Sequence, residues 1–315
     1  MVRILGLAAV VLTLVAAIAI DRAEGAEKLL GDAKPIPAPA ALLKIGMLDG
    51  MFRDVPKVQV QAAMIPFKRM FKEMVGEEVD IVILPDHKTL ADRLETGECS
   101  IGIFHGFEFA WSKKDHPTLE AIVVTVPVAR KIQACLVVDK DSTTVKAHDL
   151  EGDCVALPKS SKAHCLLFLD RLRETLPANA CGPLHRNTLT PEDVLDGVIN
   201  GDFPASVVDT SSLSIYQSMK PGAFDQLRIV QSSEQFPPAV IVSRKGSVDP
   251  RVLDRLRKTL IAANTTPQGR LMLTLWSLKG IEQVPADFEQ QLDHIRKIYP
   301  EKSIGAGSKT STSPR

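Results

Sequence analysis

The chain carries no net charge: 38 Lys plus Arg residues are matched by 38 Asp plus Glu. It also lacks any extended basic run, so no protein-wide field favours nucleic acid, and recognition of an anion has to be local. No nucleic-acid partner is therefore expected. Five cysteines are present (Cys99, Cys135, Cys154, Cys165 and Cys181), but none stands in a C-x-x-C pair, which removes support for a structural zinc site. No glycine-flanked serine elbow, metal-ligand pair or phosphate-cradling G-K-[ST] loop occurs. The signatures of common hydrolases and P-loop enzymes are thus missing. The expectation is a binding protein without cofactor or metal, and not an enzyme.

What is there begins with an apolar run. Residues 4–20, ILGLAAVVLTLVAAIAI, follow Arg3 and are succeeded at once by Asp21 and Arg22. Residues 23–25, AEG, put small residues at the two positions a signal peptidase reads, predicting a signal peptide over 1–25 and cleavage near Ala26. An uncleaved membrane anchor is the competing reading. No lipobox cysteine follows the run, so a lipoprotein is not expected. Export, to the periplasm, bears on the cysteines, because an odd number in an oxidising compartment leaves at least one unpaired. Cys99, Cys135 and Cys154 lie in apolar, strand-like surroundings and read as buried small hydrophobes. Cys154 or Cys165 could bridge to Cys181.

Residues 26–40, containing PIPAP, read as a linker, and residues 303–315, poor in apolar side chains, as a disordered tail. Between them, predicted strands and helices alternate, which argues for an α/β fold. Strands are expected at 42–48, 79–85, 100–106, 119–128 and 132–138, and again at 205–209, 227–231 and 237–243. A helix over IPFKRMFKEMVG is expected to open at Pro66 and end at Gly76. In TPEDVLDGVINGD, Thr190 reads as an N-cap, Pro191 as the first helical residue and Asp193 as the reciprocal cap partner. Asp249 and Pro250 repeat that signature. Two alternations in series, with a third group of elements closing the chain, suggest two lobes: 41–130 with 238–302, and 131–237.

Ligands in open α/β sheets sit beyond the carboxyl ends of the strands, often against helix N-termini. The polar residues at those points are Asp49, Asp86, His105, Ser160, Ser161 and Asp209. The stretch LPKSSKAHCLLFLDRL, residues 157–172, is the densest of these corners. Ser160 and Ser161 read either as N-caps or as hydroxyls beside an anion held by free backbone N–H groups. The ammonium of Lys162 suits an oxyanion. His105 is either a strand-end histidine with satisfied partners or a donor to ligand. Phe107 and Trp111 belong to an aromatic run that packs on its lobe or closes over a ligand. Glu108 either meets a cationic group of a zwitterion or caps a helix. His164 beside Cys165 suggests a thiol dyad, but helix neighbours point to different faces.

The order of these segments resembles the periplasmic substrate-binding proteins of phosphate/phosphonate-type ABC importers. The likeness runs through LKIGML, VDIVILPDHKTLADRLETGECSIGIFHGFEFAW, VKAHDLEGDCVALPKSS, DGVINGDFPASVVD and PPAVIVSRKGSVDPRVLDRLRKTL, covering roughly residues 42–290. The resemblance implies a bilobal periplasmic-binding-protein-like fold with interlobe crossings near 129–132 and 233–239. It also implies a ligand in the cleft and a membrane permease as partner. The family's Ser-Thr-Ser-Gly loop is here SSKAH, with Lys162 and Ala163 in place of small polar residue and glycine. The position of a helix-opening histidine falls near Thr190 or Pro191. The glycine turn keeps Gly106. The expected ligand-binding set is Asp49, Asp86, His105, Gly106, Ser160, Ser161, Lys162, Thr190 and Asp209. The expected function is capture of a small phosphate-, phosphonate- or sulfonate-like anion, or a zwitterion, by a monomer that delivers it to an ABC permease. A module presenting its ligand to a membrane sensor is the alternative, and a hydrolytic enzyme on a similar fold is a third.

Overall fold

The computed structural model describes residues 42–52, 57–129, 131–150, 155–159, 161–175, 185–186 and 189–301. The expected signal peptide, linker and tail lie outside these residues, as do Cys154, Ser160 and Cys181. Among the described residues no helix is long and apolar enough to cross a membrane.

The chain builds one sheet, leaves it for a second, and returns. The outgoing strands are β1 (Leu43–Leu48), β2 (Val79–Leu84), β3 (Ile101–Phe104) and β4 (Leu119–Pro127). The second sheet holds β5 (Ala134–Asp139), β6 (Val155–Leu157), β7 (His185–Arg186), β8 (Ala205–Asp209) and β9 (Leu227–Ser232). The returning strands are β10 (Val240–Arg244) and β11 (Leu278–Glu282). The orders are β11-β4-β10-β3-β1-β2 and β7-β6-β8-β5-β9. In the first, β1 pairs parallel with β2 and β3, while β10 runs antiparallel between β3 and β4. In the second, β6, β7 and β8 are parallel, and β5 is antiparallel to β8 and β9.

The helices are α1 (Lys57–Val75), α2 (His87–Glu95), α3 (Gly106–Asp115), α4 (Ala163–Thr175), α5 (Pro191–Ile199), α6 (Thr210–Met219), α7 (Pro221–Phe224), α8 (Pro250–Ile261), α9 (Pro267–Leu275) and α10 (Phe288–Ile298). They cover both faces of each sheet, which is why the strands read as continuous apolar runs. On one face of the first sheet Ile45, Met47, Ile101 and Ile241 pack with Phe71, Leu256 and Leu260 from α1 and α8. On the other, Phe104 and Val240 pack with Leu90, Phe109 and Leu292 from α2, α3 and α10. The second sheet has its own pair of cores, Leu136 and Val207 with Phe168 and Leu169 of α4, and Val137 and Val208 with Leu195 and Tyr216 of α5 and α6. The molecule is bilobal, an α/β lobe on each sheet.

Two segments join the lobes, between β4 and β5 and between β9 and β10. They lie side by side: Ile132 and Phe236 form an antiparallel bridge, and the Gln133 side chain donates to the Ser233 carbonyl at 2.8 Å. The caps expected at Thr190 and Asp249 are in place, each with its proline in the first turn. Two helix starts differ from expectation. Pro66 does not open a helix; it lies inside α1, which starts at Lys57. The helix forgoes the bond that proline cannot donate because Val60, Met64 and Phe71, on one face, are buried against the sheet. The helix after β6 begins at Ala163, not at the serines. The Pro158 carbonyl accepts from both the Ser161 N–H (3.1 Å) and Ser161 Oγ (2.9 Å), closing a turn ahead of the helix.

Candidate functional site

A cavity of about 390 Å³ opens where the lobes and the crossings meet. Its position follows from chain direction. β3 ends at Phe104, and α3 starts two residues later with Gly106 and Phe107 on the cavity wall. β8 ends at Asp209, which caps α6 and brings Ser211 to the same wall. Lys162, Ala163 and His164, at the start of α4, complete it from the second lobe, while Ile132, Phe236 and Pro237 contribute from the crossings. The starts of α3, α4 and α6 therefore face one space. The first N–H groups of a helix have no partner within it, and they carry the positive end of its dipole.

Gly106 is fixed by packing rather than by backbone conformation. A Cβ there would collide with the Pro237 carbonyl oxygen and lie 2.6 Å from the Pro238 oxygen. Only hydrogen at that position lets the start of α3 sit against the second crossing.

The charged groups are paired. Lys162 Nζ donates to Asp209 Oδ2 at 2.5 Å, from a half-exposed side chain to one that is 6% exposed. Asp209 also accepts from the Ser212 N–H (3.2 Å) and Ser212 Oγ (2.5 Å) through its other oxygen. Burial alone would raise its carboxyl pKa, but Lys162 and Ser212 outweigh that and hold it below the usual value. An ammonium has three donors, so the contact with Asp209 leaves two. His105 is the N-cap residue of α3 but makes no cap bond with its side chain. Instead Nδ1 meets Glu108 Oε2 at 2.6 Å, and the ring stacks on Phe107 with centroids 5.5 Å apart. Glu108 thus neither caps the helix nor stands alone; it orients His105.

His164 is the unusual group. It is 6% exposed, its ring lies 5.4 Å from that of Phe236, and Nε2 is buried without a hydrogen-bond partner. Burial drives its pKa down to about 4, with Lys162 and His105 acting in the same direction and Asp209 opposing them. The imidazole is neutral at pH 7. Its neighbour Cys165 turns the other way, into the core of the second lobe, where burial pushes the thiol pKa well up. The two form no dyad. Cys99, Cys135 and Cys165 are free and buried.

Four of the expected residues line the cavity: His105, Gly106, Lys162 and Asp209. Asp86, Thr190, Ser161 and Asp49 do not. The Asp86 carboxylate caps α2, accepting from the Thr89 N–H at 2.8 Å and from Thr89 Oγ1 at 3.1 Å. Thr190 caps α5 in a reciprocal box with Asp193. Ser161 closes its own turn. Asp49 is exposed at the head of a 3-10 turn (Asp49–Phe52), although Gly50 and Met51 from that turn reach the cavity. Trp111 packs away from the cavity, donating from Nε1 to the Tyr299 carbonyl at 2.8 Å. Sequence reasoning missed Phe236 and Pro237, which lie on a crossing rather than at a strand end, and weighed His164 only as half of a dyad. Their one signal was position beside predicted crossings and helix starts. Among the described residues no group of three or more His, Cys, Asp or Glu is arranged to hold a metal ion.

The sequence profile of the family described as "ABC transporter, phosphonate, periplasmic substrate-binding protein" matches residues 50–288. No curated protein matches the chain in sequence. Solved structures do match in fold. A Xanthomonas citri protein bound to chloride ion is 18% identical, with 82% of this chain and 97% of that one covered at a TM-score of 0.56. A Prochlorococcus marinus protein in complex with methylphosphonate is 11% identical, with 82% and 98% covered at 0.55. A binding protein component of an ABC phosphonate transporter from Pseudomonas aeruginosa is 14% identical, with 85% and 91% covered at 0.54.

Proposed function

The chain belongs to the phosphonate-type family of ABC-transporter periplasmic substrate-binding proteins, and on that premise we propose that its interlobe cavity holds a small anion between the starts of α3 and α4. The observation that carries this reading is the convergence of helix starts from both lobes, with Lys162 and His105, on one cavity. Bound there, an anion would accept from backbone N–H groups of both lobes, so its binding would favour the lobes together. Lys162 supplies the charge, and Asp209 holds it in place rather than facing the ligand. His105, oriented by donating from Nδ1 to Glu108, would donate from Nε2 to the anion in its imidazolium form. Gly106 admits the close approach of α3.

In this reading the first lobe comprises residues 41–130 and 238–302 and the second 131–237; the grouping of β1–β4 with β10 and β11 in one sheet and of β5–β9 in the other supports it. Residues 1–25 direct export. The protein hands its ligand unchanged to a membrane permease and acts as a monomer. Lys162→Ala provides the test. Losing a hydrogen bond to a charged ligand costs about 1.5–3 kcal/mol, about ten- to a hundredfold in affinity. Calorimetric titration with phosphate, methylphosphonate and ethanesulfonate should find at least one that binds the parent, and should find that ligand weakened to this degree in the variant. Equal affinity in parent and variant would contradict the site, and conversion of the bound molecule would contradict the binding-only role.

A further inference from the structure

One face of α4 does more than border the cavity. Ala163 and Leu167 pack against the core cluster of the first lobe, and the His164 ring meets that of Phe236. Farther along, the Arg171 guanidinium lies 5.3 Å from the centre of the Tyr299 ring. Spacings of three and four residues put positions 164, 167 and 171 on one side of a helix. The stripe begins at the cavity and ends at Arg171, about 10 Å along the helix axis.

At that far end one carboxylate holds a group from each lobe. Glu234, on the second crossing, accepts from Arg171 Nη1 at 2.6 Å through Oε1 and from the Tyr299 hydroxyl at 2.7 Å through Oε2. Burial would raise its pKa, but Arg171 and Tyr299 outweigh that and hold it below the usual value. Tyr299 is 3% exposed and anchored in the first lobe. Its carbonyl accepts from Trp111 Nε1 of α3 at 2.8 Å, and its N–H donates to the Ile295 carbonyl of α10 at 2.8 Å. The polar pairs at the cavity, Lys162 with Asp209 and His105 with Glu108, each close within one lobe. The cluster around Glu234 joins two lobes, and none of its three members lines the cavity.

Any rotation of one lobe against the other has to move Arg171 relative to Tyr299. Resting on the anion-binding reading above, we propose that Arg171, Glu234 and Tyr299 are positioning residues for ligand capture. They form a latch, away from the ligand, that favours the lobe arrangement in which the starts of α3 and α4 face one space. The latch acts on affinity through population: a ligand held by both lobes binds only as tightly as that arrangement is available. Its ion pair is partly exposed, so it biases the equilibrium without locking it.

The experiment compares the whole mature protein with Arg171→Met, Glu234→Gln and Tyr299→Phe. Two quantities are read: small-angle X-ray scattering without ligand, and calorimetric affinity for whichever of phosphate, methylphosphonate and ethanesulfonate binds the parent. Each variant should have a larger radius of gyration than the unliganded parent. Each should also bind about two- to tenfold more weakly, the worth of one hydrogen bond read through the lobe equilibrium. With the same anion at saturation, the radius should return to that of the liganded parent. Arg171→Lys, which keeps the charge, should recover part of both losses. Should a variant lose its melting transition, Tyr299→Phe, which removes a single hydroxyl, decides. Unchanged scattering, whether or not binding weakens, would overturn the latch while the anion site stands. So would wider scattering with the parent's affinity. If none of the three anions binds the parent, the anion-binding reading falls, and the scattering alone decides whether the latch holds the lobes.

Discussion

At the scale of single residues, the site is a set of charges paired in advance and one uncharged histidine, His164, whose Nε2 has no partner. His164 has its ordinary value near 6.5 in the unfolded chain and about 4 in the folded one. Between those values the unfolded chain binds more protons, so stability falls as pH drops from about 6.5 towards 4 and is retained above that window. The shift corresponds to about 3 kcal/mol at most. Melting temperatures of the parent and His164→Gln, measured from pH 7 to pH 4, should diverge in slope across this window, with the variant flatter. Parallel curves would mean that His164 is not buried as described. Lys162 and Asp209 were legible in the sequence as polar residues at a helix start and a strand end. Their mutual ion pair was not, because 47 residues separate them in sequence and the parallel pairing of β6 with β8 brings them together.

At the scale of elements, local signals were reliable where the chemistry is local. Thr190, Pro191 and Asp193 make their cap within one turn, and the structure contains it as the sequence spells it. Pro66 and the serines before α4 misled for the opposite reason. Burial of a whole helix face decided the first, and a turn around Pro158 decided the second. The apolar lining of the cavity was not legible at all. Met47, Ile103, Ile241, Leu260 and Met272 have the composition of core, and only sheet register and helix placement decide which apolar residues border a cavity. Two substitutions separate cap from site. Thr190→Ala should lower stability by about 1 kcal/mol in chemical denaturation and leave ligand affinity unchanged. Gly106→Ala forces α3 away from the second crossing, which should cost about 1–3 kcal/mol, and it should weaken ligand binding as well. A Gly106→Ala protein that binds as the parent does would show that the start of α3 does not touch the ligand.

At the scale of the molecule, the lobes meet beside the crossings, where Ala163 and Leu167 of α4 pack against the core cluster of the first lobe. Phe236, on the second crossing, touches His164 of one lobe and Phe107 of the other. Beside it Glu234 accepts from Arg171 of α4 at 2.6 Å and from the Tyr299 hydroxyl, beyond α10, at 2.7 Å. In the proposed reading, an anion between the starts of α3 and α4 would add hydrogen bonds from both lobes to these ties. That makes amide hydrogen exchange the most direct measurement, taken with and without a saturating ligand from the titrations above. The account predicts simultaneous slowing at residues 106–108 and 163–165, the first turns of α3 and α4 in different lobes. Slowing in one lobe alone, or at neither helix start, would contradict it.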